Sequence, residues 1–387
     1  MKKKFLKVAV ATMLIASMFT FAACGGSDNG DGGNGDAETI KIGAFGPLSG
    51  EVAAYGTAMT DSAKLAVEEI NAAGGIDGKQ IELFVYDTKA DKAEAVNIYN
   101  RLRDQDEVVA IIGGTISGET LAVKELAIAD NMPMLTPTAT SADVTIGAPS
   151  IFRACFLDPY QGSAAAAFSV ETLGAETVAV LYNSDDAYSE GIAEAYKAAV
   201  EAEGLEVVYY DAYTSEVRDF NTYLTQIQSA APDIIFLPDY YNRIGLIATQ
   251  MKDLGMEQIA VGVDGWDSVE IDYAEQVEGF FFVNHFAKDD PDPIVQNFIA
   301  AFQDAFDREP NALGALGYDA AYILAEAIKN AGSTDAQAII DALADIEYTG
   351  VTGPIRFDDE GDAANKNIAI IKIVDGKHVL EEKISAK

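Results

Sequence analysis

Cysteine, histidine and tryptophan are scarce in this chain of 387 residues, which contains two, two and one of them. With only Cys24 and Cys155 present, no internal disulfide is expected, and Cys155 is interpreted as a small buried apolar residue. His285 and His378 stand apart, the second in a terminal hairpin predicted to be exposed. The chain also lacks a G-x-S-x-G elbow, an H-E-x-x-H motif and a phosphate-binding loop. These absences argue against an enzyme, and no cofactor or metal is implied.

Long apolar runs are confined to the amino terminus. Four lysines between residues 2 and 7 precede an apolar segment at 8–19, and Phe21-Ala22-Ala23-Cys24 follows, which is the order of a secretory leader. The end of this leader resembles a bacterial lipobox, which implies that Cys24 is lipidated after removal of residues 1–23. The alternative is an ordinary leader with an incidental cysteine. No later stretch reaches the roughly 18 consecutive apolar residues of a membrane helix.

The segment after the leader lacks the apolar side chains that a folded core needs. Residues 25–36, GGSDNGDGGNGD, contain no apolar side chain, which predicts a flexible acidic tether over residues 24–38. The protein is therefore expected outside the cytoplasm, held by its N-terminal lipid anchor at the outer face of the bacterial cytoplasmic membrane.

Basic side chains are few. The chain has 26 Lys and Arg against 62 Asp and Glu, a net charge of −36; loss of residues 1–23 removes four lysines and leaves 22 against 62, a net charge of −40. Such a surface repels nucleic acid and anionic lipid headgroups, so neither is expected as a partner. The charge would attract a cationic ligand, but it also simply keeps a protein soluble, which is the simpler interpretation.

Two hydroxyl-rich loops stand out in residues 108–145. A strand predicted at 108–112 ends in two glycines and is followed by a helix start near Ser117, and a second strand at 132–135 leads into Thr136-Pro137-Thr138-Ala139-Thr140. Both loops leave the same edge of a parallel sheet, where open α/β sheets bind ligands. Free amides at the helix start and the nearby hydroxyls suit a carboxylate or another small anion. The alternative is that these Ser and Thr residues only cap helices and turns.

The rest of the chain repeats the β-α pattern and predicts an α/β fold with two doubly wound parallel-sheet lobes joined by a multi-crossover hinge. The pattern starts afresh after residue 158, long helices are predicted at 293–306, 317–331 and 335–345, and Asp375-Gly376 predicts a terminal hairpin. The late helices are expected to return to the first sheet. The predicted lobes are residues 39–158 with 286–360, and residues 159–285 with 361–387.

At this point the sequence resembles the type I periplasmic-binding-protein fold, and within it the branched-chain amino-acid-binding proteins of ABC transporters. The similarity covers essentially the whole mature chain and is carried by the following segments: IGAFGPLSGEVAAYG at 42–56, NAAGGIDGKQIEL at 71–83, IIGGTISGET at 111–120, PMLTPTATSADVT at 133–145, SDDAYSEG at 184–191, VDG at 263–265, GYDAAYILAEAI at 317–328 and TGVTGPIRFDDEGD at 349–362. It implies a monomeric extracellular binding protein that closes on a small amino acid and delivers it to a membrane permease.

The resemblance also implies site residues. Ser117, Thr138 and Thr140 match positions that hold the ligand carboxylate and part of its ammonium group, with Thr138 acting mainly through its backbone, and Ala139 is expected among the ligand-binding residues with them. Asp264 matches an acid that faces the ammonium group. Three tyrosines match aromatic positions that line the cleft: Tyr55, Tyr188 and Tyr240. Trp266 is either a pocket wall or a rim or core residue.

Other interpretations of these residues remain open at this stage. Tyr188 and Tyr240 could each be surface aromatics, and Asp264 could cap a turn. Relatives of this fold bind amides, urea-like molecules or aromatic carboxylates, and the same fold serves as a ligand sensor, although such receptors need a membrane helix after the binding domain. The pattern nevertheless favours two lobes that hold opposite charged ends of one zwitterion, because buried charges require partners.

Overall fold

The computed structural model describes residues 39–364 and 366–384. The predicted leader, Cys24 and the tether at 24–38 lie outside the described residues. In the part of the chain that is described, no helix is long and apolar enough to cross a membrane.

A five-stranded parallel sheet is the centre of the first lobe. Its strands follow the order β2-β1-β3-β4-β5. The elements are β1 (Ile40–Gly46), α1 (Ala53–Ala72), β2 (Ile81–Asp87), α2 (Lys92–Arg101), β3 (Ala110–Ile112), α3 (Ser117–Ala129), β4 (Met134–Thr136) and β5 (Ile151–Arg153). Strand β5 was not predicted, because its three residues are too short to show a period.

The second lobe is built on a seven-stranded sheet. Its first elements are α4 (Asp158–Ala167), β6 (Thr177–Asn183), α5 (Ala187–Ala202), β7 (Glu206–Tyr213), α6 (Asn221–Ala230), β8 (Ile234–Phe236), α7 (Tyr241–Asp253), β9 (Ile259–Gly262), α8 (Glu270–Tyr273) and β10 (Phe281–Asn284). A short 3-10 turn, Asp264–Trp266, follows β9.

The carboxyl-terminal part supplies elements to both lobes. They are α9 (Pro293–Phe306), α10 (Ala312–Ala331), α11 (Ala336–Ala344), β11 (Glu347–Gly350), β12 (Gly353–Arg356), β13 (Ile368–Val374) and β14 (Lys377–Ile384). The second sheet has the order β14-β13-β10-β9-β8-β6-β7, with β13 antiparallel to both of its neighbours. The small β11-β12 hairpin was not predicted from the sequence.

Successive side chains of each strand point to opposite faces of its sheet and pack in two separate hydrophobic cores. In β3, Ala110 and Ile112 pack with α1, α10 and α11, whereas Ile111 packs with α2 and α3. In β8, Ile234 and Phe236 pack with α4 and α5, whereas Ile235 packs with α6 and α7. Helices therefore cover both faces of each sheet, as a doubly wound α/β architecture requires. Helices α10 and α11 return to the first sheet after the second has been built.

Helix α10 begins five residues before the predicted start at 317. Gly314 and Gly317 lie inside it, against Ser62 and Met59 of α1, where an added Cβ would come within 2.9 Å of the Ser62 hydroxyl and 2.5 Å of the Met59 carbonyl. These glycines allow two helices to approach closely, so they do not mark the helix start. The extra turn carries Leu313 to the gap between the lobes.

The crossings between lobes are close to the predicted positions but not identical. Phe156 already packs in the second core, two residues before the predicted boundary. At the last crossing, Asp362 pairs with Arg153 and Ala363 packs in the first core. The chain therefore leaves the first lobe after residue 363, rather than at 360.

Candidate functional site

A small closed cavity lies between the two lobes, where loops leave the carboxyl ends of their parallel strands. Its walls are formed by Tyr55, Thr115, Ile116, Ser117, Thr138, Tyr188, Tyr240, Asp264, Gly265 and Leu313. The first lobe contributes the residues that follow β1, β3 and β4, together with Leu313, and the second contributes those that follow β6, β8 and β9. This is the sheet edge at which the sequence placed the site.

The cavity has a volume of about 20 Å³. That space holds little more than one water molecule. An amino acid therefore enters only when the lobes separate or the wall side chains rotate, so this is a closed arrangement of the cleft.

The floor on the first lobe is the start of α3. Ile116 occupies the position before the helix, and its side chain makes no hydrogen bond that caps the first turn. Ser117 is buried, and its Oγ accepts a hydrogen bond of 3.2 Å from the Ser141 amide. An uncapped helix start inside a closed cavity offers N–H groups and a partial positive charge to an anion.

Thr138 lies beside this helix start, but its hydroxyl is already used. Its Oγ1 donates to the carbonyl oxygen of Thr115 at 2.5 Å. The fully buried Arg153 fixes the same loop. Its Nη1 donates to the carbonyl oxygens of Ala139 and Ser141 at 2.9 and 2.7 Å, and its Nε lies 2.7 Å from Oδ1 of Asp362. The threonine loop is thus fixed by its backbone, leaving the Thr138 side chain a structural role.

Asp264 supplies the single carboxylate among the wall residues. Its Oδ1 accepts a hydrogen bond of 2.6 Å from the Tyr188 hydroxyl, and its Oδ2 lies 3.0 Å from Nε2 of His285. His285 stacks on Phe156 with ring centroids 3.5 Å apart, and burial lowers the pKa of this histidine, so its imidazole is neutral near pH 7. Among the described ion pairs, no lysine or arginine contacts Asp264. The acid is therefore buried with hydrogen-bond donors but without a fixed cation.

Three tyrosines close the cavity. Tyr188 and Tyr240 are stacked with centroids 5.0 Å apart, and Tyr55 meets Tyr240 edge-on at 5.7 Å. The Tyr55 hydroxyl donates to the carbonyl oxygen of Gly265 and accepts from the Tyr241 amide at 3.1 Å, so it bridges the lobes. Burial raises the pKa of all three hydroxyls well above the usual value, which keeps them protonated.

Not every predicted residue reaches the cavity wall. Ala139 and Thr140 are buried beside the wall residue Thr138 and are not themselves part of the wall. Trp266 belongs to the core of the second lobe: it is fully buried, its ring packs on Gly262, and its Nε1 donates to the Leu237 carbonyl oxygen at 2.8 Å. Of the two roles left open for Trp266, the structure selects the core. His378, predicted to be exposed, has a side chain only 3% accessible, because α8 and the turn after β9 cover it.

Sequence reasoning missed several residues of the site. Thr115, Ile116, Gly265 and Leu313 line the cavity, and His285 supports Asp264 from outside the wall. Thr115 and Ile116 adjoin the predicted Ser117, so a wider reading of that loop would have included them. His285 follows β10 and Leu313 lies at the start of α10, and only the fold brings these distant segments to the cavity and to Asp264.

Two larger grooves lie on the surface of the first lobe. Their volumes are about 670 and 480 Å³, and both are lined by Ala344, Asp345 and residues 357–360. Acidic side chains predominate in the larger groove, and neither groove contains a predicted site residue. Two further pockets, of about 410 and 200 Å³, also contain none of the predicted site residues. The small cavity is therefore the candidate binding site.

Comparisons with known proteins agree with this geometry. The model of the Periplasmic binding protein family matches residues 39–377. The leucine-, isoleucine-, valine-, threonine- and alanine-binding protein of Pseudomonas aeruginosa is 31% identical over 338 residues, which cover 86% of this chain and 90% of that protein. Among solved structures, the leucine-binding protein LivK of Thermotoga maritima has a TM-score of 0.85 and 32% identity, covering 89% of this chain and 99% of LivK.

A second similar structure contains a ligand. The branched-chain amino-acid transporter substrate-binding protein LivJ of Streptococcus pneumoniae, solved with isoleucine, has a TM-score of 0.84 and 32% identity. It covers 90% of this chain and 100% of LivJ. With the family match extending over nearly all of the described residues, the chain belongs to the periplasmic binding protein family, whose members are solute-binding proteins.

Proposed function

We propose that this protein is the substrate-binding component of an ABC transporter, and that it captures a branched-chain amino acid, leucine, isoleucine or valine, between its lobes. The observation that carries the proposal is the buried Asp264, which pairs with no lysine or arginine among the described residues and belongs to the same closed cavity as the uncapped start of α3. The ammonium group of a zwitterion would pair with this acid, and its carboxylate would accept hydrogen bonds from the amides at the start of α3. Burying either charge alone would cost several kcal/mol.

The remaining walls favour a side chain without charge. Ile116 and Leu313 are apolar, and the rings of Tyr55 and Tyr240 present aromatic faces and edges. Transfer of an aliphatic side chain from water into such surroundings is favourable, whereas a second charge on the ligand would lose its hydration without gaining a partner among these wall residues. The names of the similar proteins, which refer to leucine, isoleucine and valine, support the same choice.

The same proposal includes the cellular location of the protein and its membrane partner. Lipidation at Cys24 would hold the protein at the outer face of the cytoplasmic membrane, and the tether at 24–38 would let a monomer reach its membrane permease. Closure on the ligand would produce the shape that the permease accepts. The site binds and releases its ligand without catalysing a reaction.

A melting screen over the twenty amino acids tests the proposal. A ligand that binds only the folded protein, at a hundredfold excess over its Kd, adds about 2.7 kcal/mol of stability. We expect leucine, isoleucine and valine to raise the midpoint, and lysine and glutamate to leave it unchanged. A screen in which none of the three branched-chain amino acids raises the midpoint would remove the assignment.

A further inference from the structure

Three metal-ligating side chains converge in the second lobe, outside the cavity. Asp267 follows the turn that carries Asp264, Glu270 begins α8, and His378 lies on β14. One ligating atom from each lies within 4.8 Å of the other two. Asp267 is 1% accessible, and the side chains of His378 and Glu270 are 3% and 13% accessible, so the cluster is shielded from water.

The converging atoms have no hydrogen-bond partner among the described residues. They are Oδ1 of Asp267, Oε2 of Glu270 and Nε2 of His378. Nε2 of His378 lies 2.8 Å from Oε2 of Glu270, which makes an ion pair when the imidazole is protonated. Two ligands about 2.0–2.2 Å from one tetrahedral metal ion stand roughly 3.3–3.6 Å apart, so Glu270 and His378 would have to separate slightly to hold one. Buried polar atoms without partners are rare in folded proteins, and an ion or water is a common reason for them.

The other carboxylate oxygens are held by the protein. Oδ2 of Asp267 accepts from the Ala312 amide at 2.7 Å and from Nδ2 of Asn284 at 3.0 Å, and Oε1 of Glu270 lies 3.5 Å from Nζ of Lys288. Each acid therefore keeps one oxygen fixed and directs the other into the cluster, which is how supporting hydrogen bonds orient metal ligands.

The charge of the cluster also calls for a cation. Two buried carboxylates meet one lysine, Lys288, which contacts Glu270 and the exposed Glu309 but not Asp267. Among the described ion pairs, no lysine or arginine contacts Asp267. His378 is the other basic group near both acids, and an imidazole that binds a metal must be neutral. A bound divalent ion would then supply the positive charge that the buried carboxylates need.

We propose that Asp267, Glu270 and His378 bind one divalent first-row transition-metal ion, of the Zn²⁺, Co²⁺ or Mn²⁺ class. The imidazole favours these ions over Ca²⁺ and Mg²⁺, which prefer all-oxygen sites. The ion ties the turn after Asp264 to the terminal hairpin. Because Asp267 also accepts from Ala312 at the start of α10, the ion stiffens the place where the second lobe touches the first.

The test is a titration of the full chain, treated with EDTA and dialysed, with ZnCl₂ alone and no amino acid present. We expect one Zn²⁺ per chain by calorimetry and by metal analysis after dialysis, and a higher melting midpoint with the metal. Glu270→Gln, which keeps the side-chain shape, and His378→Ala should each weaken binding at least about tenfold. Asp272→Asn, an exposed acid two residues from Glu270, is the matched control and should bind as the wild type does.

Two results would overturn the site. One is a folded wild-type chain that binds none of Zn²⁺, Co²⁺ and Mn²⁺, which would mean that the cluster is an ion-pair network completed by Lys288 and His378. The other is Zn²⁺ binding that persists unchanged in Glu270→Gln and in His378→Ala, which would place the metal elsewhere. Neither result depends on which amino acid the cavity takes, because no amino acid is present in the titration.

Discussion

The Tyr188 hydroxyl donates a hydrogen bond of 2.6 Å to Oδ1 of Asp264, and the same hydroxyl accepts one of 2.8 Å from the Gly265 amide. These two hydrogen bonds fix the Asp264 carboxylate on the cavity wall, just after the end of β9. With the neutral His285 on its other oxygen, Asp264 has donors that orient it but, in the part of the chain that the structure describes, no lysine or arginine that neutralises it. The positive partner has to arrive with the ligand.

Replacing Asp264 by Asn should therefore remove the charge that the ligand ammonium needs, while keeping the side-chain size. Breaking one side of a buried ion pair costs roughly 3–5 kcal/mol, which corresponds to a Kd at least about a hundredfold higher. Isothermal titration with leucine measures the change. The matched control is Asp253→Asn, an exposed acid near the end of α7, which should bind as the wild type does. An unchanged Kd in Asp264→Asn would place the acid outside the site.

Tyr55→Phe should speed ligand release without slowing capture. The variant loses the hydroxyl that bridges Gly265 and Tyr241 across the closed cleft. Such hydrogen bonds contribute about 0.5–1.5 kcal/mol, or roughly a 2- to 13-fold increase in koff. Stopped-flow fluorescence separates koff from kon. Tyr99→Phe, which removes a hydrogen bond to Asp130 within the first lobe, is the control; an equal effect on koff there would mean that the bridge has no special role.

Asp362→Ala should destabilise the fold and weaken binding together. Arg153 is fully buried, and loss of Asp362 leaves its guanidinium without an acid, at a cost of roughly 3–5 kcal/mol. Because Arg153 also holds the carbonyls of Ala139 and Ser141, the threonine loop should become looser. Urea unfolding and leucine titration report the two effects. In Asp104→Ala, which breaks an exposed pair with Arg103, both should stay close to wild type; a similar loss there would show a general effect of removing an acid.

Asp158→Asn should remove part of the pH dependence of stability. Burial raises the pKa of Asp158 to about 8. Its contribution to stability is therefore complete below the ordinary carboxyl pKa near 4 and is lost as the pH rises through about 8. Between pH 5.5 and 7.5 the wild type should lose roughly 2–3 kcal/mol more unfolding free energy than the variant. Parallel curves for the two proteins, measured by urea unfolding across that range, would contradict a protonated Asp158.

Much of the architecture could be predicted because buried parallel strands appear in the sequence as short apolar runs. Short β-branched runs such as Ala110–Ile112 alternate with amphipathic helices, and ligand loops follow the strand ends. The same rule brought Ser117, Tyr188 and Asp264 to one cavity.

What sequence reasoning missed depends on contacts between distant segments. Leu313 reaches the cavity because α10 extends past glycines that pack against α1, and His285 reaches Asp264 because β10 lies beside β9. Trp266 follows a site residue in the sequence, yet its large ring fits only over Gly262 in the core. None of these placements has a periodic signal, because each is decided by which elements pack together.

The account depends most on two charged ends of one ligand being held at once. Calorimetry of the wild type with leucine, and in parallel with isopentylamine, which lacks the carboxylate, and 4-methylpentanoate, which lacks the ammonium, tests this directly. We expect leucine to bind and each analogue to bind at least about a hundredfold more weakly, as expected when a buried charge is left unpaired. An analogue that binds as tightly as leucine would show that one lobe needs no charge from the ligand, and would contradict the account.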